Sequence, residues 1–247
     1  MIYKKLLLVP LITFITSFTF ADSINVKRDF EIFAKIPFLP KVNIMDINTS
    51  LYLSNDEYEY EFNIKSKKIV NFINQIDGKG FVTGKIKDAY IPKNYTYEYL
   101  RKNKKKFVRL DYDKEKIKKI IVKPDFDKSK LTPVSDEMLY NTIDPSTFFL
   151  SVLDFKKTNK CNKTFRIFDG KRRYDVKFEN MHINKENSLI ECEASQIKLG
   201  GYKENESDVF AASDFIQVVY AIKTNEFLRY EAKNGNIKIS TICIYIQ

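Results

Sequence analysis

Residues 57–65 read Glu-Tyr-Glu-Tyr-Glu-Phe-Asn-Ile-Lys, an alternation without a fault. A strand turns successive side chains to opposite faces, whereas a helix returns to one face every three or four residues. Tyr58, Tyr60, Phe62 and Ile64 on one side and mostly charge on the other therefore specify a half-buried strand of an antiparallel sheet.

The same period recurs along the chain. Tyr95, Tyr97 and Tyr99 alternate, then a basic turn at residues 101–106 leads to Val108, Leu110 and Tyr112. Near the end, Ile216, Val218, Tyr220 and Ile222 share a face, Phe227 and Arg229 alternate with Leu228 and Tyr230, and Lys233-Asn234-Gly235-Asn236 turns the chain into residues 237–246. Residues 48–53 and 117–122 read as shorter strands, the latter stopped by Pro124, and residues 30–38 as a strand or an entry segment stopped at Pro37 and Pro40. Residues 69–76 read as a strand ending in a hairpin at Asp77-Gly78-Lys79-Gly80, which leads into residues 81–86. About ten strands with short turns predict a mainly antiparallel β domain. One helix is marked: Asp144 is a good N-cap, and Pro145 at the first helical position loses no hydrogen bond. Phe149, Val152 and Leu153 then fall on one helical face.

Residues 161–192 carry the densest signals. Strands at 164–168 and 173–179 are joined by Asp169-Gly170, a pair suited to the positive φ angles of a type I′ turn. A third strand at 189–195 follows. Beyond the turn, Arg173 and Asp175 share one face and Tyr174, Val176 and Phe178 the other. Asp169, Arg172, Arg173 and Asp175 are the candidate ligand or partner contacts, because guanidinium forks match carboxylate and phosphate groups. The same residues also suit a plain turn with cross-strand charge pairs, each worth roughly 0.2–1 kcal/mol.

The N-terminus bears on compartment. Lys4 and Lys5 precede an apolar run over residues 6–20 that ends at Ala21, the plan of a secretory signal peptide. An anchor spanning a bilayer needs about 20 apolar residues. Cleavage after Ala21 leaves a single exported domain of 226 residues (22–247) with net charge +8. Three cysteines remain, Cys161, Cys192 and Cys243. In an oxidising compartment two can pair. A Cys161–Cys192 bridge would enclose the hairpin and stabilise by roughly 3–4 kcal/mol. Cys243, inside an apolar strand, reads as a small buried hydrophobe.

Chemistry leaves little trace. The single histidine, His182, has no nucleophile near it in sequence. There is no nucleophile elbow, phosphate-binding glycine loop, zinc motif or Cys-x-x-Cys pair, so no catalytic residue, cofactor or metal is nominated. The lysines and tyrosines of residues 95–112 imitate a nucleic-acid platform. Export argues against nucleic acid, and alternating tyrosines on a strand more often form a sheet's packed face with their hydroxyls at its edge. A lipid headgroup or an acidic envelope polymer is the alternative partner for the lysines.

Asp144-Pro145 opening a helix, Cys161, Phe-Asp-Gly-Lys-Arg-Arg-Tyr-Asp-Val at residues 168–176 and then Cys192 resemble an exported proteobacterial family, the domain of unknown function numbered thirty-one-zero-eight. The resemblance covers the chain from about Phe30 to the last strand. It implies a periplasmic or envelope protein with a long curved antiparallel sheet, half-barrel-like as in periplasmic lipoprotein carriers, and a helix packed near it. It also implies a concave apolar face able to take an acyl chain. The expectation is a non-enzymatic exported protein binding a lipid-like or other hydrophobic ligand on its sheet, with peripheral membrane contact. The alternatives are a module docking an acidic partner through its basic surface and an unrecognised hydrolase. The expected disulfide is Cys161–Cys192, with Cys243 left out of it.

Overall fold

The computed structural model describes residues 23–35, 38, 40–67, 76–101, 104–154, 161–204, 215–221, 223–224, 226–234 and 237–246. The stretch read as a signal peptide and most of the strand read at 69–76 lie outside them. Among the described residues seven strands come first: β1 (Ser23–Lys35), β2 (Val42–Ser54), β3 (Glu57–Ser66), β4 (Ile76–Ile86), β5 (Tyr90–Arg101), β6 (Lys104–Asp113) and β7 (Lys116–Lys123). Helix α1 (Pro145–Leu153) follows two short 3-10 turns, Lys128–Lys130 and Glu137–Leu139. Six strands complete the chain: β8 (Lys163–Phe168), β9 (Arg173–Asn184), β10 (Leu189–Gly200), β11 (Phe215–Ala221), β12 (Phe227–Asn234) and β13 (Ile237–Ile246).

All thirteen belong to one antiparallel sheet in the order β7-β6-β5-β4-β3-β2-β1-β13-β12-β11-β10-β9-β8. Two meanders, β1–β7 and β8–β13, are joined by the pairing of first strand with last, Phe30 opposite Cys243 and Lys35 opposite Lys238. The sheet's two edges, β7 and β8, are consecutive in sequence. The irregular chain between them spans the gap. Asn141 N donates to Glu115 O at the β6–β7 turn (2.7 Å), while Ile143 N donates to Arg166 O on β8 (2.9 Å).

The curvature follows from what α1 touches. Tyr58 of β3 hydrogen-bonds Thr147 (3.1 Å), Tyr90 of β5 donates to Asp154 (2.8 Å), and Tyr220 of β11 donates to Val152 O (2.9 Å). Phe30 of β1 meets Phe149 edge-on at 5.3 Å, and Phe165 of β8 meets Phe148 at 5.2 Å. In a flat sheet β5 and β8 would stand roughly 48 Å apart at about 4.8 Å per strand, yet a nine-residue helix is only about 13.5 Å long. The sheet therefore curls around α1. The curved antiparallel architecture agrees with the expectation.

Enclosure changes the helix from the amphipathic element its spacing predicts. Val152 and Leu153 are buried, but so are Leu150, Ser146, Thr147 and Ser151. The polar side survives burial because Asp144, itself 0% exposed, accepts from Ser146 N, Thr147 N and the Thr147 hydroxyl. Two apolar clusters meet at the helix. Phe30, Phe165, Phe178, Val218 and Phe227 form one with Val152 and Leu153, and Tyr58, Tyr60, Phe62, Val82 and Leu110 form the other with Leu150.

Three local expectations need correction. Asp77-Gly78-Lys79-Gly80 is not a turn but the start of β4, with Gly80 opposite Phe62. The reason is space: a Cβ on Gly80 would lie 2.0 Å from Cζ of Phe62, so this glycine serves an aromatic ring rather than a reversal. The Asp169-Gly170 hairpin is not the two-residue type I′ form, since the strands pair only from Phe168 and Arg173, and of these two residues only Gly170 has positive φ (93°). Finally, the strand expected over 173–179 runs on to Asn184, so His182 stands exposed near the end of β9, opposite Glu191.

Candidate aromatic cavity on the concave face

Beside the N-terminus of α1 the curled sheet leaves a cavity of about 310 Å³. Its wall is the apolar side of the alternating runs: Tyr60, Phe62 and Ile64 from β3, Tyr95, Tyr97 and Tyr99 from β5, and Val108 from β6. Ile47 of β2 and Tyr174 of β9 add to the wall, and Pro145, Ser146 and Phe149 supply the helix side. Phe62, Tyr97 and Tyr99 form a ladder, with centroids 5.4 Å and then 4.7 Å apart, the second pair nearly parallel at 15°. Such a surface offers ring faces to an apolar or flat ligand. Burial pushes the phenols of Tyr60 and Tyr97 up, so both stay neutral at any ordinary pH.

Asp169 is the carboxylate of this lining. Its Oδ1 accepts from Lys171 N (2.8 Å) and Arg172 N (2.6 Å), which shapes the turn, and its backbone N–H donates to Arg172 O (3.1 Å). Burial pushes the carboxyl up, against the amides of Arg172 and Lys171 and their charges. The side chain still keeps 26% of its surface open. Arg172 stands 3.9 Å from Asp169 Oδ2 and over the Tyr202 ring at 5.6 Å.

Of the four residues nominated from sequence, the fold thus puts Asp169 in the cavity lining, sets Arg172 beside Asp169 but outside that lining, and separates the other two. Arg173 and Asp175 are on the opposite face of β9 from Tyr174. Arg173 is 1% exposed, and it donates from Nε to Met138 O (2.8 Å) and from Nη1 to Tyr174 O and Asp175 Oδ1 (2.6 Å each). That guanidinium pins the chain crossing between the sheet edges. The disulfide joins Cys161 to Cys192, ahead of β8 and within β10. Cys243 packs, half-buried, against the same core cluster.

Sequence reasoning missed most of the lining. The tyrosine alternation pointed to a packed face, and Phe149 to the core. Which rings border a void depends on how far the sheet curls, and no local signal carries that. His182 does not line the cavity.

Among solved structures, the chain is similar to a β-barrel-like protein of the domain of unknown function DUF1849 from Brucella abortus. Identity is 8%, the match covers 92% of this chain and 98% of that one, and the TM-score is 0.45. No curated protein matches the sequence. The family described as "Protein of unknown function (DUF3108)" matches over residues 30–239, and the chain belongs to that family.

Proposed function

We propose that this is an exported, non-enzymatic binding protein of the cell envelope that holds a lipid-like or other hydrophobic ligand in the aromatic cavity. The observation that carries the reading is the ring ladder of Phe62, Tyr97 and Tyr99 beside a void of about 310 Å³. That volume is near the lower end of the ~300–1,000 Å³ of small-molecule sites, which suits one apolar chain or one ring system. Export is supported by the leader-like first 21 residues and by the Cys161–Cys192 disulfide, a bond that persists in oxidising compartments. Peripheral membrane contact through the exposed lysines of β7 belongs to the same reading.

The test is mass spectrometry of small molecules released from gently purified protein, with binding of the neutral fluorophore phenylnaphthylamine alongside. A hydrophobic species should co-purify, and Ile64→Trp, which puts an indole into the cavity, should lose both it and the fluorophore while still folding. A protein that carries nothing and does not bind the fluorophore would sink the reading.

A further inference from the structure

The concave face changes character at one end of the cavity. β5 and β6 pair so that Tyr95 faces Leu110, Tyr97 faces Val108, Tyr99 faces Lys106 and Arg101 faces Lys104. The register there is unbroken, and side chains alternate, so all eight share the concave face. The aromatic wall ends at Tyr99 and three cations continue it. Lys106 already reaches over the Tyr99 ring, at 5.9 Å. Arg101 and Lys104 are exposed, as Lys105 and Arg109 of the outer face are, and Lys106 is half-buried against the aromatic wall. Arg101 directly opposite Lys104 is a like-charge pair, which costs stability in a sheet.

Two further cations arrive from the other meander. Gly170 docks so closely that a Cβ there would lie 2.6 Å from Val108 Cγ1. That docking sets Lys171 and Arg172 beside the end of β6. Lys106 registers the result: burial holds its ammonium below the ordinary range, and Arg101, Lys171, Arg172 and Lys104 push it further the same way. Among the described residues Asp169 is the one carboxylate of the cavity lining; its Oδ1 is engaged by the turn amides and its Oδ2 lies 3.9 Å from Arg172 Nη1.

From this juxtaposition, and resting on the binding reading above, we infer that the ligand is an anionic amphiphile. Its apolar part lies in the aromatic cavity, and its phosphate or carboxylate head is held where Lys104, Lys106 and Arg172 converge. Charge-assisted hydrogen bonds from half-buried Lys106 and Arg172 and from exposed Lys104 select such a head over a neutral one.

The experiment is displacement of phenylnaphthylamine by amphiphiles of matched tail: dodecyl phosphate, laurate, dodecylphosphocholine and monolaurin, with inorganic phosphate as a head without a tail. Dodecyl phosphate and laurate should bind at least about tenfold more tightly than monolaurin and dodecylphosphocholine, the worth of one good charged contact. A Lys104→Ala/Lys106→Ala protein should keep its affinity for monolaurin and lose most of that preference. Equal affinity for all four amphiphiles, or a preference unchanged in the double variant, overturns the head-group inference and leaves the cavity reading standing. Displacement by inorganic phosphate at the concentrations where dodecyl phosphate acts overturns the amphiphile and marks a free-anion site. No displacement by any of them sinks the inference together with the cavity reading.

Discussion

Asp144 shows how one residue can start a helix and make its stability depend on pH. Its carboxylate caps α1 through two backbone amides and the Thr147 hydroxyl. Burial nevertheless pushes its pKa up to about 6, outweighing the hydrogen bonds that lower it. The folded protein therefore binds a proton that the unfolded chain releases near 3.8. Stability from this group is fully present below the unfolded value and is lost as pH rises through about 6. Asp144→Asn keeps a capping oxygen and removes the titration. The wild-type protein should gain about 2 kcal/mol on the variant between about pH 7.5 and pH 4.5, read from urea unfolding at each pH. Arg173 makes a different point at the same scale. Alternation correctly set it on the face of Asp175, but that Met138 O would close over that face was not legible, because the covering segment has no period. Arg173→Lys removes the fork that serves three acceptors. It should destabilise by roughly 2 kcal/mol in thermal melts, since a buried acceptor left unpaired costs about 1–3 kcal/mol.

At the scale of elements, the turn joining β8 to β9 carries more than a reversal. Asp169 organises it through the amides of Lys171 and Arg172, and Gly170 lets it lie against β6. Gly170→Ala combines a strained positive φ of 93° with a contact 2.6 Å from Val108. It should lower stability by roughly 1–3 kcal/mol. Because the turn must then lift off β6, ligand affinity should fall as well, measured by fluorophore titration at a temperature where the variant is folded. The sequence announced this turn and misjudged its length, since Asp-Gly serves either a two-residue loop or a longer one closed by the aspartate side chain. Asp77-Gly78-Lys79-Gly80 failed for a related reason. Glycine marks a missing side chain, and only the neighbour shows whether the space serves a turn or the ring of Phe62. Helix α1 was legible from its cap and its proline, and its burial on all sides was not.

Over the whole molecule, period-two alternation and turn residues were enough for an antiparallel β fold, because those signals are local. The strand order is not local: nothing in β1 or β13 says that they pair, and nothing in residues 124–144 says that they bridge two edges. The disulfide was foreseeable as a loop around the hairpin, and its span of 31 residues sets its worth. Reduction, or Cys161→Ala with Cys192→Ala, should cost roughly 3–4 kcal/mol in chemical unfolding. A loss below about 1 kcal/mol would show that the reduced chain already keeps that hairpin closed.

The pairing of β1 with β13 makes the last strand a keystone. Shortening most sheets at a terminus trims an outer strand; losing residues 237–246 here would open the sheet in its middle, leaving β1 and β12 each with an unpaired edge. Such edges are templates for association with other chains. Since β13 follows the other twelve strands in sequence, β1 must wait for all of them before its second neighbour exists. A protein built this way has its aggregation hazard set by the time between its first strand and its last, and a chain exported threaded and unfolded would need that first edge shielded until β13 arrives.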